Sequence, residues 1–411
     1  MRNRKNPSLW SLFGLCVLAL SCTSTNENSS NNQSFTLPDG FSRIDILESV
    51  ANNVILPAHD DFVDETYNLK RSLDAYLIAL SLNPQAPLEL RAARAAWKKT
   101  MYAWQRLEIF QVGPLGDKAT RVAGQNIRDE VYSWPTVSTC SVDKELVYNR
   151  FEDSSFFSQT LINAYGLDAM EYLLFEESTE NTCNVLSDIN SSSPRWSDLS
   201  VTELRLRRAK YAYRIAQHLK VEADRLRNLW ASPGYFVRSL TNPGSSSSDF
   251  ETDEEALNEL FAALYYLELV VKDDKLALPA GLTMDCMEMN CPERLESRWA
   301  KHSRENVIAN LKSFRAAFVG GDENDPSHIG FDDFLVAVNS AELATQMLSG
   351  VDQVIALLEG QTLSFYDALG QQSTNLVDAH DQLKLLTDVM KTQFVSVLGL
   401  KVPREGAGDN D

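Results

Sequence analysis

The chain has 411 residues, 44% of them hydrophobic, and a formal net charge of -19 at pH 7. This length and composition can bury a sizeable core and indicate two domains rather than one. So acidic a surface argues against nucleic acid and anionic lipid headgroups as partners, and it is compatible with a protein that attracts cations.

Residues 1–22 have the pattern of a bacterial export signal. Three basic residues precede an apolar run over residues 9–20, which is too short to span a bilayer as a permanent helix. The basic residues are Arg2, Arg4 and Lys5. Ser21 and Cys22 follow, and they resemble the end of a lipoprotein signal, in which the cysteine becomes the lipidated first residue. Cys16 is the alternative acceptor.

The residues after the signal predict how the protein is held at the membrane. By the same resemblance, Thr23 rather than an aspartate after Cys22 predicts sorting to the outer membrane of the cell envelope, with the lipid as anchor. Residues 23–40 are rich in Ser, Asn and Thr and are predicted to form a flexible tether.

Beyond the signal the sequence contains four cysteines. An even number of cysteines in an oxidising compartment indicates disulfides. Four cysteines allow three connectivities, of which we favour a bond from Cys140 to Cys183, closing a loop around residue 168, and one from Cys286 to Cys291. A zinc site made of all four is the competing interpretation, although the paired Cys-x-x-Cys spacing of such sites is missing from the sequence.

From residue 44 onward, apolar residues recur with helical spacing and long alternating runs are missing, so the sequence predicts an all-α fold. The predicted helices cover residues 43–56, 62–82, 88–112, 153–176, 200–230, 251–273, 293–319, 331–359 and 374–398. The Ser-rich segment 241–249 is the predicted boundary between two helical bundles, which cover residues 41–240 and 250–400.

Asp168 and Glu171 lie three residues apart, between Gly166 and an apolar run. On a helix this spacing puts both carboxylates on one face, where they can share a ligand. The alternative is a capping box, in which Asp168 is the N-cap and Glu171 is the third residue of the helix. Spacing alone leaves both interpretations open.

The predicted helix 88–112 carries a stripe of residues that step by 4, 3, 4 and 3. Its members are Trp97, Met101, Trp104, Glu108 and Gln111. The first three are typical of a buried core. Glu108 and Gln111 extend an apolar stripe with polar groups, and buried polar groups cluster at functional sites. Pro114 ends the helix where this polar end can face a cavity.

A set of segments in this order resembles the imelysin-like family, which comprises bacterial iron-regulated envelope proteins formerly classed among the metallopeptidases. The most informative segment is Gly-Leu-Asp-Ala-Met-Glu at residues 166–171. The other matching segments are residues 96–97, 103–105, 108–114, 134–135, 211–212, 218–219, 230, 274–279 and 296–297. The resemblance covers about residues 44 to 400.

The resemblance implies two helical bundles with a site in the cleft between them, built on a Gly-x-His-x-x-Glu signature. Gly166 and Glu171 match the glycine and the glutamate, whereas Asp168 stands where the family has histidine. The expected metal ligands are therefore Asp168 and Glu171, which offer only hard oxygen donors. The serine that the family has after its Glu-Ser pair is also missing, and Ala300 stands near its expected position.

Further side chains are expected to bind the ligand around this pair. They are Gly166, Trp104, Glu108, Gln111, Lys275 and Ser297. Lys275 would pair with a site carboxylate across the cleft.

The first functional hypothesis is an outer-membrane-anchored protein that binds iron, another hard divalent or trivalent cation, or an iron-bearing ligand, and assists an iron-uptake system. The alternative is a structural, adhesive or partner-binding surface protein with a degenerate site. A peptidase has the least support, because the sequence lacks His-Glu-x-x-His and its five histidines are far apart.

Overall fold

The structure, a computed structural model, describes residues 37–231 and 235–403. These residues form helices joined by turns and contain no β-strand, so the all-α prediction is confirmed. They belong to one compact unit that begins at Leu37. The signal, Cys22 and the tether up to residue 36 lie outside the described residues. The division into bundles 41–240 and 250–400 stays a prediction.

The α-helices in chain order are α1 Arg43–Val50, α2 Leu56–Leu82, α3 Pro87–Glu108, α4 Ile127–Val131, α5 Thr139–Tyr148, α6 Phe156–Gln159, α7 Leu167–Phe175, α8 Asp188–Ser191, α9 Val201–Ala231, α10 Phe236–Thr241, α11 Asp253–Leu264, α12 Ser303–Phe318, α13 Phe331–Ala337, α14 Ala341–Gly360, α15 Phe365–Gly370, α16 Asn375–Val389 and α17 Val395–Leu398. Segments with π-helical bonding cover Ala51–Ile55, Leu267–Ala277 and Met390–Phe394. Short 3-10 turns cover Gly113–Leu115, Arg150–Glu152, Ile162–Ala164, Trp196–Asp198 and Pro292–Arg294.

Three long helices form the centre of the described fold. Helix α2 packs against α3 and α9, and α3 packs in turn against α7 and α12. Because α3 precedes segment 241–249 and α12 follows it, the contact of α3 with α12 joins the two parts of the chain. The candidate site is formed by α7, which packs against α3, and by the segment that leads into α12.

The predicted helices agree with the structure where they are long and amphipathic. Helices α3 and α9 begin within a residue of the predicted positions, and α17 ends before Gly399, which has a φ of 63°. The predicted helix 153–176 is wrong, because only α6, a 3-10 turn and α7 form there. Segment 293–302 is also not one helix, and α12 begins only at Ser303.

Both predicted disulfides are present, so the zinc interpretation of the four cysteines is wrong. Cys140 in α5 is bonded to Cys183, and Cys286 is bonded to Cys291. Disulfides persist in oxidising compartments, which fits an extracytoplasmic location. Within the described ranges, every helix is too short or too polar to cross a membrane.

Helix α7 is enclosed by the protein on all sides. Eight of its nine residues are buried, including both acids of the candidate pair. A helix that is surrounded in this way is stabilised by apolar contacts all round. Asp168 and Glu171 are consequently carried into the interior, where each charge needs a partner or a proton.

Candidate functional site

The entry into α7 fixes where the two acids point. Its N-cap is Gly166, with a φ of 104°, a backbone conformation that only glycine adopts readily. A Cβ atom at this position would lie 2.9 Å from Asp168 Oδ1 and 3.0 Å from the carbonyl oxygen of Val131. Asp168 is the second residue of the helix, not its cap, so the capping-box interpretation is wrong.

Asp168 is buried, and each of its two carboxylate oxygens accepts a hydrogen bond. Its Oδ2 accepts a bond of 2.7 Å from Ser133 Oγ, and its Oδ1 accepts the N–H of Ala169 at 2.9 Å. Burial raises the pKa of Asp168 to about 6, and the bonds from Ser133 and Ala169 offset part of that effect. This carboxyl group therefore titrates close to neutral pH.

Glu171 reaches a distant part of the chain. Its Oε1 accepts the backbone N–H of Ala300 at 2.8 Å. Burial raises the pKa of Glu171 to about 8, although the N–H groups of Ala300 and Trp299 act in the opposite direction. The nearby charge of Asp168 raises the pKa further. Glu171 is therefore mostly protonated at neutral pH, and a cation that binds its oxygens must displace this proton.

The turn of residues 297–301 presents the N–H of Ala300 to Glu171. It begins at Ser297 and ends at Lys301, whose φ values of 47° and 51° are rare for residues other than glycine. Ser297 Oγ accepts a bond of 2.9 Å from Asn306 Nδ2, which fixes the start of the turn on α12. Strained backbone of this kind is concentrated at functional sites.

Asp168 and Glu171 line one cavity of about 380 Å³, which we call the α7 cavity. The other lining residues are Trp134, Pro135, Val137, Thr139, Leu278, Glu293, Arg294, Leu295, Ser297, Arg298 and Trp299. The structure thus brings three of the predicted site residues together, namely the acid pair and Ser297. The walls of the α7 cavity combine acids, arginines and indole rings, and a few polar groups beside aromatic walls are typical of small-molecule sites.

Lys275 lies in a neighbouring buried network, which we call the Lys275 cluster. Its Nζ is 3.1 Å from Glu296 Oε1 and 3.5 Å from Glu108 Oε2. It also donates to Gln105 Oε1 at 2.6 Å and to Asn310 Oδ1 at 3.0 Å. Lys275 therefore does pair with carboxylates, but these are Glu108 and Glu296 rather than the acids of α7.

Glu108 is already balanced by two cations. Besides Lys275, the guanidinium of Arg128 donates to Glu108 Oε1 from Nε at 3.1 Å and from Nη2 at 3.0 Å. Glu108 is fully buried and is not among the residues that line the α7 cavity. The structure therefore does not bring Glu108 together with Asp168 and Glu171 as a third oxygen ligand.

Tyr132 connects the two groups of acids electrostatically. Its hydroxyl donates a bond of 3.0 Å to Glu296 Oε1. Burial raises the pKa of Tyr132 well above its ordinary value, and the charges of Glu296, Glu108, Asp168 and Glu171 add to this. The hydroxyl consequently stays protonated and remains a hydrogen-bond donor to the Lys275 cluster.

The two remaining predicted residues lie elsewhere. Gln111 lines a separate cavity of about 260 Å³ together with Arg128 and Trp134, and Trp134 is shared with the α7 cavity. Trp104 is buried in the core, where its ring packs against Phe62 and Tyr132 at centroid distances of 5.2 and 6.4 Å. It does not line the α7 cavity.

Several contacts of the site were not predicted. Gln105 lies four residues after Met101 and three before Glu108, so helical periodicity could have identified it on the same face. No periodicity in the sequence identifies Ser133 or the N–H of Ala300 as part of the site. They meet Asp168 and Glu171 only because the chain folds back over 35 and 129 residues respectively.

The donor set of the pair limits which metal it could hold. Within residues 37–231 and 235–403, no three His, Cys, Asp or Glu side chains are grouped so that they could hold a metal ion. Asp168 and Glu171 supply hard oxygen atoms, which suit hard cations rather than soft ones. With only two protein carboxylates, an ion there would need further donors from water or from its own ligands.

A larger cleft of about 600 Å³ lies between α2, α3 and the start of α12. Its walls carry charges of both signs, including Asp61, Lys98, Arg106 and Glu305. None of the predicted site residues lines this cleft. Size alone does not identify a site. The two acids that the sequence predicts as site residues, Asp168 and Glu171, have raised pKa values and line the α7 cavity instead.

The comparisons with known proteins agree with this architecture. Residues 55–390 match the family model described as imelysin. An imelysin-like protein from Psychrobacter arcticum 273-4 is 17% identical, with a TM-score of 0.67 over 90% of this chain and 99% of that chain. An iron-regulated protein A precursor from Parabacteroides distasonis ATCC 8503 is 15% identical, with a TM-score of 0.64 over 89% and 97%. No curated protein matches the sequence.

Proposed function

The chain belongs to the imelysin family, and we propose that it is a cell-envelope protein that binds an iron-bearing ligand in the α7 cavity and assists iron uptake. The observation that carries this proposal is that Asp168 and Glu171 are both buried and both line one cavity of about 380 Å³. Buried acids with raised pKa values in a concave pocket are typical of binding sites.

The lining favours a chelated ion over a bare one. Two carboxylates leave coordination positions open on a hard cation, and an organic chelator can fill them. Such chelates are commonly anionic, and the cationic side chains of Arg294 and Arg298 on the cavity wall suit a negative charge. We therefore propose a small iron chelate as the ligand, with a bare hard divalent or trivalent cation as the simpler possibility.

Three observations support a role in iron acquisition at the envelope. One similar solved structure is described as an iron-regulated protein A precursor. The two disulfides fit an oxidising compartment. The net charge of -19 favours the approach of a bare cation, although not that of an anionic chelate. Anchoring to the outer membrane through Cys22, and delivery of the ligand to an uptake system, are parts of the same proposal.

A structural, adhesive or partner-binding role is the second candidate. It is favoured by the hydrogen bonds inside the protein, because Asp168 accepts from Ser133 and Glu171 accepts from Ala300. These contacts stabilise the fold without any ligand. A zinc peptidase has less support, because no histidine is among the described residues that line the α7 cavity.

Calorimetric titration of the purified protein with ferric citrate, calcium and zinc separates these candidates. The test variant combines Asp168→Asn with Glu171→Gln, which removes both acids and keeps their shapes. The matched control combines Asp322→Asn with Asp325→Asn, two exposed acids far from the cavity in sequence. We expect saturable binding of ferric citrate by the wild type and the control, and loss of binding in the test variant.

Either of two other results would contradict the proposal, and the first of them would favour the structural candidate. The first is that none of the three proteins binds any of the ligands. The second is that the test variant binds ferric citrate as tightly as the wild type, which would locate the ligand away from the α7 cavity.

A further inference from the structure

Segment 284–291, which includes the loop closed by the bond between Cys286 and Cys291, carries exposed methionines. Met284 is 93% exposed, Met287 is 91% exposed and Met289 is 76% exposed. The other methionines in the described ranges are at most 1% exposed, and they are Met101, Met170, Met347 and Met390. Because methionine is normally a core residue, three exposed thioethers within six residues call for an explanation.

The backbone of this loop is fixed at several points. The N–H of Cys286 donates to the carbonyl of Thr283 at 3.2 Å, and the N–H of Cys291 donates to the carbonyl of Pro279 at 2.9 Å. A Cβ atom on Gly281, whose φ is 77°, would lie only 2.3 Å from the carbonyl oxygen of Met289. The loop therefore folds back closely on itself, and its three methionines project from one compact segment.

The spacing allows the three sulfur atoms to meet. Five residues of extended chain span at most about 18 Å, and the turn and the disulfide shorten the distance from Met284 to Met289 further. Each methionine side chain is unbranched and flexible, so its sulfur can swing toward a shared point above the loop. Met284, Met287 and Met289 can thus supply three thioether donors to one ion.

We propose that Met284, Met287 and Met289 together bind a soft monovalent cation such as Cu(I) or Ag(I). Thioether sulfur is a soft ligand that selects Cu(I) over hard cations. The exposed acids Asp285 and Glu288 alternate with the methionines and attract a cation by their charge. The site uses none of the residues that line the α7 cavity, so it does not depend on the function proposed there.

An exposed apolar contact with a protein or a lipid surface is the competing explanation of the methionines. Substitution by leucine separates the two. Leucine keeps the size and the apolar character of the side chain but removes the sulfur. The decisive variant therefore combines Met284→Leu, Met287→Leu and Met289→Leu, and its thermal melting curve checks that the fold is unchanged.

The experiment is a titration of the full-length protein with Ag(I), a redox-inert stand-in for Cu(I), followed by NMR of ¹³C-labelled methionine methyl groups. We expect the methyl signals of the three loop methionines to shift and saturate at one ion per chain, while those of the buried methionines stay in place. Since even changes outside the ligand set weaken metal binding about 10- to 100-fold, the triple leucine variant should bind at least about 100-fold more weakly.

Two variants complete the test. The combination of Asp285→Asn with Glu288→Gln should retain the methyl shifts, because the sulfur atoms are the ligands. The combination of Asp168→Asn with Glu171→Gln should bind Ag(I) like the wild type. The proposal is wrong if no loop methyl signal shifts, if the leucine variant binds as tightly as the wild type, or if removal of the loop acids abolishes binding.

Discussion

Glu171 Oε1 lies 2.8 Å from the backbone nitrogen of Ala300, so a buried carboxyl group ties α7 to a turn 129 residues further along the chain. Glu171 lines the α7 cavity, and so does Trp299, the residue before Ala300. The cavity is therefore held together by a group that titrates near neutral pH. The stability of the protein and its binding of a cation should therefore change over the same pH range but in opposite directions, because loss of the proton of Glu171 weakens the fold and frees the carboxylate for the cation.

The stability of the protein should fall as the pH rises toward 8. The pKa values of Asp168 and Glu171 in the fold, about 6 and about 8, lie above those of unfolded chains. At pH values between the pKa of the unfolded chain and that of the fold, the folded state binds more protons than the unfolded state. The stabilisation from these protons is complete below the unfolded pKa values and is lost as the pH rises through 6 and 8. Melting temperatures measured from about pH 5 to about pH 9 should decline, and Glu171→Gln should remove most of the decline.

The control for this prediction is Glu359→Gln, which neutralises an exposed acid of α14. It should follow the pH dependence of the wild type. If Glu171→Gln followed it as well, the raised pKa of Glu171 would not be the cause of the decline.

Replacement of Lys275 by methionine should destabilise the protein strongly. The change leaves Glu108 Oε2 and Glu296 Oε1 buried without the ammonium group that lies 3.5 and 3.1 Å from them. Breaking a buried charge network in this way costs about 3–5 kcal/mol in the free energy of unfolding. Denaturant unfolding of Lys275→Met measures this loss.

Lys312→Met is the matched control, because Lys312 pairs with Glu359 at the surface. Exposed pairs contribute about 0–1 kcal/mol, so this variant should be nearly as stable as the wild type. Equal losses in the two lysine variants would contradict the assignment of Lys275 as the balancing charge of a buried cluster.

Gly166→Ala should lower stability by about 1–3 kcal/mol, because alanine is strained at a φ of 104°. The new methyl group would also meet Asp168 Oδ1 at 2.9 Å. Gly360→Ala is the comparison, since no heavy atom lies within 4 Å of the added Cβ there. In thermal unfolding, Gly166→Ala should melt at a lower temperature than Gly360→Ala. Equal melting temperatures of the two variants would refute the steric explanation.

The two disulfides should differ in their contributions to stability. Cys140 and Cys183 are 43 residues apart in sequence, whereas Cys286 and Cys291 are 5 apart. Chain entropy gives about 4 kcal/mol for the longer loop and about 2 kcal/mol for the shorter one. Paired alanine variants compared by denaturant unfolding test this order, and a larger loss at the shorter loop would contradict it.

The features that could be predicted from sequence are those that depend on local pattern. Helices α3 and α9 are long and amphipathic, so the spacing of their apolar residues identifies them. Helix α7 is buried all round and lacks a solvent-exposed polar face, so its beginning after Gly166 could not be predicted from the spacing of apolar residues. The even number of cysteines, together with the oxidising compartment that the export signal implies, was enough to predict that the four cysteines form disulfides.

The site was predicted only in part, because its geometry depends on contacts between distant segments. The spacing of Asp168 and Glu171 fitted both a ligand pair and a capping box, and only the folded chain distinguishes them. Ser297 and Lys301 adopt positive φ values that no local signal predicts for serine or lysine. Glu108 was expected beside the acid pair, but the distant Arg128 and Lys275 bind it instead.

The central claim is that Asp168 and Glu171 bind an iron-bearing ligand in the α7 cavity, and the most direct test is anomalous diffraction. Crystals soaked in ferric citrate would be measured at the iron absorption edge, beside crystals of the Asp168→Asn and Glu171→Gln variant. We predict an iron peak in the α7 cavity of the wild type and no such peak in the variant. An empty α7 cavity in wild-type crystals that hold iron elsewhere, or an unchanged peak in the variant, would contradict the claim.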